Sequence, residues 1–170
     1  MTDSVADKLR GLLASDIYTV KGRLRADDLL VRERVARSLA EATARLRDLG
    51  SRWRADRVPA STRENPFPSA EVMAPLRQAD QLGRDIDAVA VAVRGLPLLP
   101  ADKVWDRVRR GGLDELVQFD WALVGEADEL AALLSAAADL AAVDQPAVRQ
   151  SLRRLTGAVA DRRRYAEFIA

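Results

Sequence analysis

The chain contains no cysteine and no histidine in its 170 residues. The first absence excludes disulfides, thiol catalysis and thiolate-held metals. The second excludes Ser-His and Cys-His nucleophile pairs, histidine-ligated zinc and the Glu-x-x-His motifs that build di-iron sites in four-helix bundles. No glycine-rich phosphate loop is present either. Lysine is nearly missing: Lys8, Lys21 and Lys103 are the only three among 27 basic residues, an arginine bias that a GC-rich genome alone can produce. Long apolar runs are missing too. The longest stretch without a charge, Leu130 to Ala138, falls far short of the roughly 20 residues of a membrane-spanning helix. The first residues show no basic segment followed by an apolar one, so no secretion signal is read there and the expected location is cytoplasmic.

What is present is a helical protein's composition. Apolar residues make up 48% and charged residues 31%, and because the charges alternate with leucines they read as solvated helix faces rather than disorder. At 18.7 kDa the chain is large enough to bury a core without metal or disulfide, and residues 1–170 are expected to form a single domain. The 27 basic and 26 acidic residues leave a formal charge of +1, so binding to nucleic acid or an anionic membrane would need local patches.

Apolar periodicity places the helices. Ser4-Val5-Ala6-Asp7 has the form of a capping box, and Val5, Leu9, Leu12, Leu13 and Ile17 follow at helical spacing. Ile17-Tyr18-Thr19-Val20, the one strand-like tetrad, has no second strand to pair with and is read as that helix's end. From about Asp27 to Arg57 the seam Val31, Val35, Leu39, Ala42, Leu46, Leu49 and Trp53 is nearly continuous, in coiled-coil-like steps of three and four. Its length, about 45 Å, exceeds the roughly 40 Å diameter of a compact domain this size and predicts an elongated molecule. Val58–Ser69, with Pro59, Pro66 and Pro68, is a loop. A third helix carries Val72, Leu76, Ala79, Gly83, Ile86, Ala90 and Val93 on one stripe with Leu82 and Val89 beside it, has Pro75 near its start and stops at Gly95. Leu96-Pro97-Leu98-Leu99-Pro100 crosses to a short helix, Ala101–Arg110, closed by Gly111-Gly112. Leu116, Leu123, Ala127, Leu130, Leu134, Ala137 and Ala141 mark a fourth seam from Leu113 to about Val143. Asp144 caps a last helix striped by Val148, Leu152, Leu155, Val159, Ala166 and Ile169. The expected fold is all-α: an elongated antiparallel four-helix-type bundle with an additional N-terminal helix and one short helix.

Charge is segregated in a way the net value hides. Every charged residue from Gly111 to Asp144 is acidic, whereas the last helix carries Arg149, Arg153, Arg154, Arg162, Arg163 and Arg164 against Asp161 and Glu167. Adjacent helices of opposite charge would flank their seam with ion pairs; alternatively the acidic face docks a basic partner. Asp120 interrupts the stripe between Leu116 and Leu123, and Arg162 takes the equivalent position between Val159 and Ala166, which predicts a structural buried pair.

Glu126-Ala127-Asp128-Glu129 has the Glu-x-x-Glu spacing with which all-helical nucleotide pyrophosphatases hold Mg²⁺. The last helix offers only Asp161 and Glu167 as further carboxylates, so the activity is not carried over. Asp27-Asp28-Leu29-Leu30-Val31 lacks the third aspartate of a DDxxD diphosphate motif. No metal site, cofactor or catalytic residue is assigned.

By elimination the sequence points to a non-enzymatic protein-protein interaction module: a scaffold, an adaptor or a helical subunit that binds a protein partner or itself. Leu98, Leu99, Trp105, Phe119 and Trp121 are its candidate contact residues, because large apolar groups concentrate there outside a long bundle seam. The alternative is a nucleic-acid-associated accessory subunit using arginine-rich helix faces, with Arg45, Arg52 and Arg54 around Trp53 and Arg107, Arg109 and Arg110 near Trp105 as candidate contacts.

Overall fold

The computed structural model describes residues 20–63, 67–97 and 113–169. Within them are four helices, α1 (Val20–Arg57), α2 (Ala70–Arg94), α3 (Leu113–Ala136) and α4 (Gln145–Ile169), and no strand occurs among the described residues. The expected N-terminal helix and the short helix Ala101–Arg110 lie outside the described residues.

The α1 seam runs as the spacing predicts: Val31, Val35, Leu39, Ala42, Leu46 and Leu49 are all buried. The helix itself begins earlier than Asp27, passing through Lys21-Gly22 to Val20, and its 38 residues span about 57 Å. At its far end Trp53 is only partly buried, and its indole N–H donates to the Val72 carbonyl at 2.9 Å, which ties the end of α1 to the start of α2. Ser69 caps α2, its hydroxyl accepting from the Val72 N–H at 3.4 Å. The helix then continues through Pro75, which forgoes one intrahelical hydrogen bond.

α3 is shorter than its apolar pattern suggests. It stops at Ala136, and Ala137, Leu140 and Val143 are buried from a turn, while Ala141, placed in the seam by spacing, is exposed. Two features end the helix here. Arg45 of α1 donates to the Ala137 carbonyl at 2.6 Å, bringing a cation to the negative end of a helix that has no basic residue in its own last turn. Asp139 then accepts from the Ala142 N–H at 2.9 Å, a side-chain turn that competes with helix continuation. Asp144 caps α4, accepting from the Ala147 N–H at 3.0 Å.

Pairing directions follow from which residues meet. Arg32 reaches Leu96 while Trp53 reaches Val72, so α1 and α2 are antiparallel. Glu126 meets Arg154 and Asp120 meets Arg162, so α3 and α4 are antiparallel as well. By contrast, Arg34 pairs with Asp128 and Arg45 reaches Ala137, so α1 and α3 run side by side in the same direction. The expectation of an antiparallel bundle thus holds for α1–α2 and α3–α4 and not for α1–α3 or α2–α4. α3 packs beside α1, and α4 closes the ring against α2.

One apolar core joins all four helices, from Val31 and Leu46 through Leu82 and Ile86 to Leu130, Leu134 and Leu155. Ile86 is fully buried, and truncating it to alanine should cost about 2–5 kcal/mol by transfer and cavity terms. Gly83, three residues away on α2, is the opposite case, since an added Cβ would meet nothing within 4 Å. Gly83→Ala should therefore stabilise by about 0.5–1 kcal/mol through helix propensity. Urea denaturation of both variants checks the pair of signs.

Candidate functional site

The most unusual chemistry in the bundle is a group of charges buried at one end of it. Arg162 of α4 is 1% exposed and Asp28 of α1 3%. Arg162 donates through Nε to Asp120 of α3 at 3.1 Å and through Nη2 to Asp28 in a close contact. Asp28 also pairs with Arg32 one turn on, at 2.7 Å. Arg32 in turn donates to the carbonyls of Leu96 and Pro97, at 2.6 and 2.9 Å, where α2 has just ended. Four side chains and two carbonyls thereby connect all four helices at one level.

The helices place these groups by simple periodicity. Asp28, Arg32, Val35 and Leu39 are steps of four and three along the inner face of α1. Asp120 and Arg162 stand in the apolar stripes of α3 and α4. Arg162 therefore reaches the middle of the bundle and touches α1, its diagonal neighbour. Burial pushes the Asp120 carboxyl up to about 6, against the pull of Arg162 in the other direction. Beyond this level Phe119 packs on Tyr165, ring centroids 5.2 Å apart. Burial, with Glu115 adding to it, raises the Tyr165 phenol.

Among the described residues, five of the six exposed large apolar side chains lie toward this end. Leu29 (58% exposed), Leu30 (43%), Val91 (65%), Trp121 (38%) and Phe168 (83%) all lie within about three turns of where α2 ends, whereas Phe67 lies at the opposite end. Between α1 and the last turn of α2 an open depression of about 610 Å³ is lined by Leu29, Ala36 and Leu96 and rimmed by Glu33 and Arg94.

The acidic α3 is largely matched from inside the chain. Asp128 accepts from Arg34, at 3.0 and 3.1 Å, and from the Ser38 hydroxyl at 2.6 Å. Glu126 and Glu129 both bind Arg154, whose pKa their hydrogen bonds raise further. The Glu-x-x-Glu pair thus faces a guanidinium, and no group of three or more possible metal-ligating side chains occurs among the described residues.

Of the residues singled out by sequence, Asp120 and Arg162 are brought together, in a larger network than a pair. Phe119 is half-buried against Tyr165, and Trp121 is on the surface. Arg45 and Arg52 share Asp48, at 3.0 and 2.9 Å, and Arg45 is further committed to Ala137. Arg54 is exposed beside a groove between α1 and α2. Leu98, Leu99, Trp105, Arg107, Arg109 and Arg110 lie outside the described residues. Asp28 and Arg32 are the members that spacing alone did not single out, although both continue the Val35–Leu39 stripe toward the N-terminus. Comparison with protein-family models, with curated proteins and with solved structures returns no match to this chain.

Because Arg162 serves two carboxylates, the partners are not equivalent. Arg162→Met leaves two carboxylates facing a single guanidinium and should cost on the order of 3–5 kcal/mol. Asp120→Asn keeps an oxygen for Nε and leaves Asp28 in place, so it should not destabilise the protein at pH 7. Urea denaturation of the two single variants and the double variant measures this asymmetry. Equal losses for the two single variants would contradict it.

Proposed function

We propose that this chain is a non-enzymatic interaction module that binds another polypeptide through the apolar end of its bundle. The reading rests on one observation, the exposure of Leu29, Leu30, Val91, Trp121 and Phe168 at the level of the bundle where α2 stops. Large apolar side chains left exposed are candidates for contact surfaces, and tryptophan and phenylalanine are frequent anchors in such contacts. The depression beside Leu29 and Leu96 offers a cleft for an apolar side chain, and Glu33 and Arg94 provide a polar rim. Compared with a nucleic-acid-binding role, this reading has the better support: two of the three α1 arginines considered for such contacts, Arg45 and Arg52, are engaged by Asp48. No helix among the described residues is long and apolar enough to cross a membrane.

The proposal separates binding from folding. The double change Leu29→Ser and Leu30→Ser should leave the melting temperature within a few degrees of the parent, because neither side chain is in the core, and should abolish self-association or partner co-purification. Phe67→Ser, at the opposite end, should change neither. A double variant that melts far earlier, or that binds as the parent does, would place the contact surface elsewhere.

A further inference from the structure

We propose that residues 1–19, which lie outside the described residues, fold back along α1 and seat Val5 and Leu9 on the cleft beside Leu29 and Leu96. They would fill a helix position that α2 leaves open. The helices differ in reach. Arg32 meets Leu96 just past the end of α2, so Val20–Val31 of α1 rises about 18 Å beyond α2. The other two helices rise with it. Arg34 pairs with Asp128 and Asp120 with Arg162, which sets the first turns of α1 and α3 and the last turn of α4 at one level. Among the described residues, the corner above α2, between α1 and α4, therefore holds no helix.

The edge of α1 that faces this corner is the edge that meets α2 lower down. Leu29, Ala36, Thr43 and Gly50 follow in steps of seven; Thr43 meets Asp87, and the Leu76 side chain lies against Gly50. Leu29 thus stands where a longer α2 would cover it, and it is 58% exposed over the cleft it shares with Leu96. The unspent charge at the corner is positive. Arg94 rims the cleft, and Arg163 lies on the edge of α4 turned away from Arg154 and Tyr165, which meet α3. Neither has an ion-pair partner among the described residues. The buried side-chain nitrogens without an acceptor at this level, Arg32 Nε and Arg162 Nη1, are donors as well.

Two segments adjoin the corner, and charge selects between them. Residues 98–112 carry Lys103, Arg107, Arg109 and Arg110 against Asp102 and Asp106, and would add to the positive excess. Residues 1–19 carry Asp3, Asp7 and Asp16 against Lys8 and Arg10, and their apolar residues recur at helical spacing. The length fits too, because Ser4–Ile17 as a helix would span about 21 Å. A reversal just before Val20 sets Leu9 level with Leu29, Val5 level with the cleft, and Asp3 and Asp7 toward Arg94. The proposal stands apart from the partner reading: a partner entering the cleft would displace the segment, while Leu30, Trp121 and Phe168 lie toward α3.

The chain has no cysteine, so Glu33→Cys, at the exposed rim of the cleft, takes a nitroxide label as the sole thiol. Amide NMR of the labelled full chain should show the signals of Val5 to Leu13 broadened. The same label on Phe67→Cys, at the opposite end, should leave them sharp. Adding Leu9→Asp to the Glu33→Cys chain should reduce the broadening and keep the α2 and α4 resonances in place. Sharp Val5–Leu13 signals in the labelled Glu33→Cys chain would overturn the docking, as would broadening of residues 98–112 in their stead. Broadening undiminished by Leu9→Asp would refute the seating. A mixture of labelled, unenriched chain with nitrogen-15 parent supplies the last arm: broadening of Val5 to Leu13 there means that the segment reaches a second copy instead of its own α1, which also overturns the proposal.

Discussion

Arg162 is the constraint around which the upper half of this bundle is arranged. A guanidinium at 1% exposure must have its charge answered nearby, and the two carboxylates that answer it come from different helices, α1 and α3. A diagonal contact between α1 and α4 then becomes obligatory, since Asp28 cannot be supplied by either neighbour of α4. Sliding any one of the three helices by a turn, about 5.4 Å, would strand at least one charge in the core. Leucine seams alone do not have this property, because Leu123, Leu130 and Leu134 would pack nearly as well one heptad displaced. Charge inside the core trades stability for register.

The parallel pairing of α1 with α3 rests on a second, less buried set of contacts. Asp128 receives Arg34 and Ser38, and eleven residues on from Arg34 Arg45 meets the end of α3 at Ala137. Two parallel helices point their macrodipoles the same way, an arrangement mildly unfavourable at close range. The charges offset it: α3 supplies carboxylates where α1 supplies guanidiniums, and Arg45 neutralises the exposed carbonyl end of α3. The segregation of acidic and basic residues therefore serves two interfaces, α1–α3 and α3–α4, where the sequence suggested only the second.

Much of the fold was legible because helical periodicity survives in a chain with few glycines and prolines. The seams of α1, α2 and α4 follow directly from steps of three and four. The end of α3 was not legible, since Ala137, Leu140 and Val143 keep an apolar rhythm across a turn and the residue that halts the helix, Arg45, lies 92 positions away. The direction of α3 relative to α1 was likewise hidden, because both pairings would bury the same leucines. Asp120 and Arg162 were visible as polar residues in apolar stripes. Asp28 and Arg32 were not, because Asp28 sits beside Asp27 and Leu29-Leu30 follow it, so the stripe seems to begin only at Val31. Nothing in composition separates an inward aspartate from an outward one when its neighbour is identical.

The two ends of the bundle are built on opposite rules. At the end closed by Ser69, Asp139 and Asp144, polar side chains cap the helices from outside while Leu49, Leu140 and Val143 fill the interior. At the other end the arrangement inverts within about three turns: Asp28, Arg32, Asp120 and Arg162 are inside, and Leu29, Leu30, Trp121 and Phe168 are outside. Turning α1 by 100° would exchange Asp28 for Leu29 at the core position, so the inversion reflects residue choice at each site and not a shortage of apolar groups. An apolar core there would gain hydrophobic stabilisation and lose the fixed register. An apolar exterior gains nothing for the isolated chain, because leucine and phenylalanine left in water contribute no burial energy. Both departures fall on the same stretch of helix. The buried charges hold the helices in one register, and the exposed side chains are thereby presented in one fixed pattern.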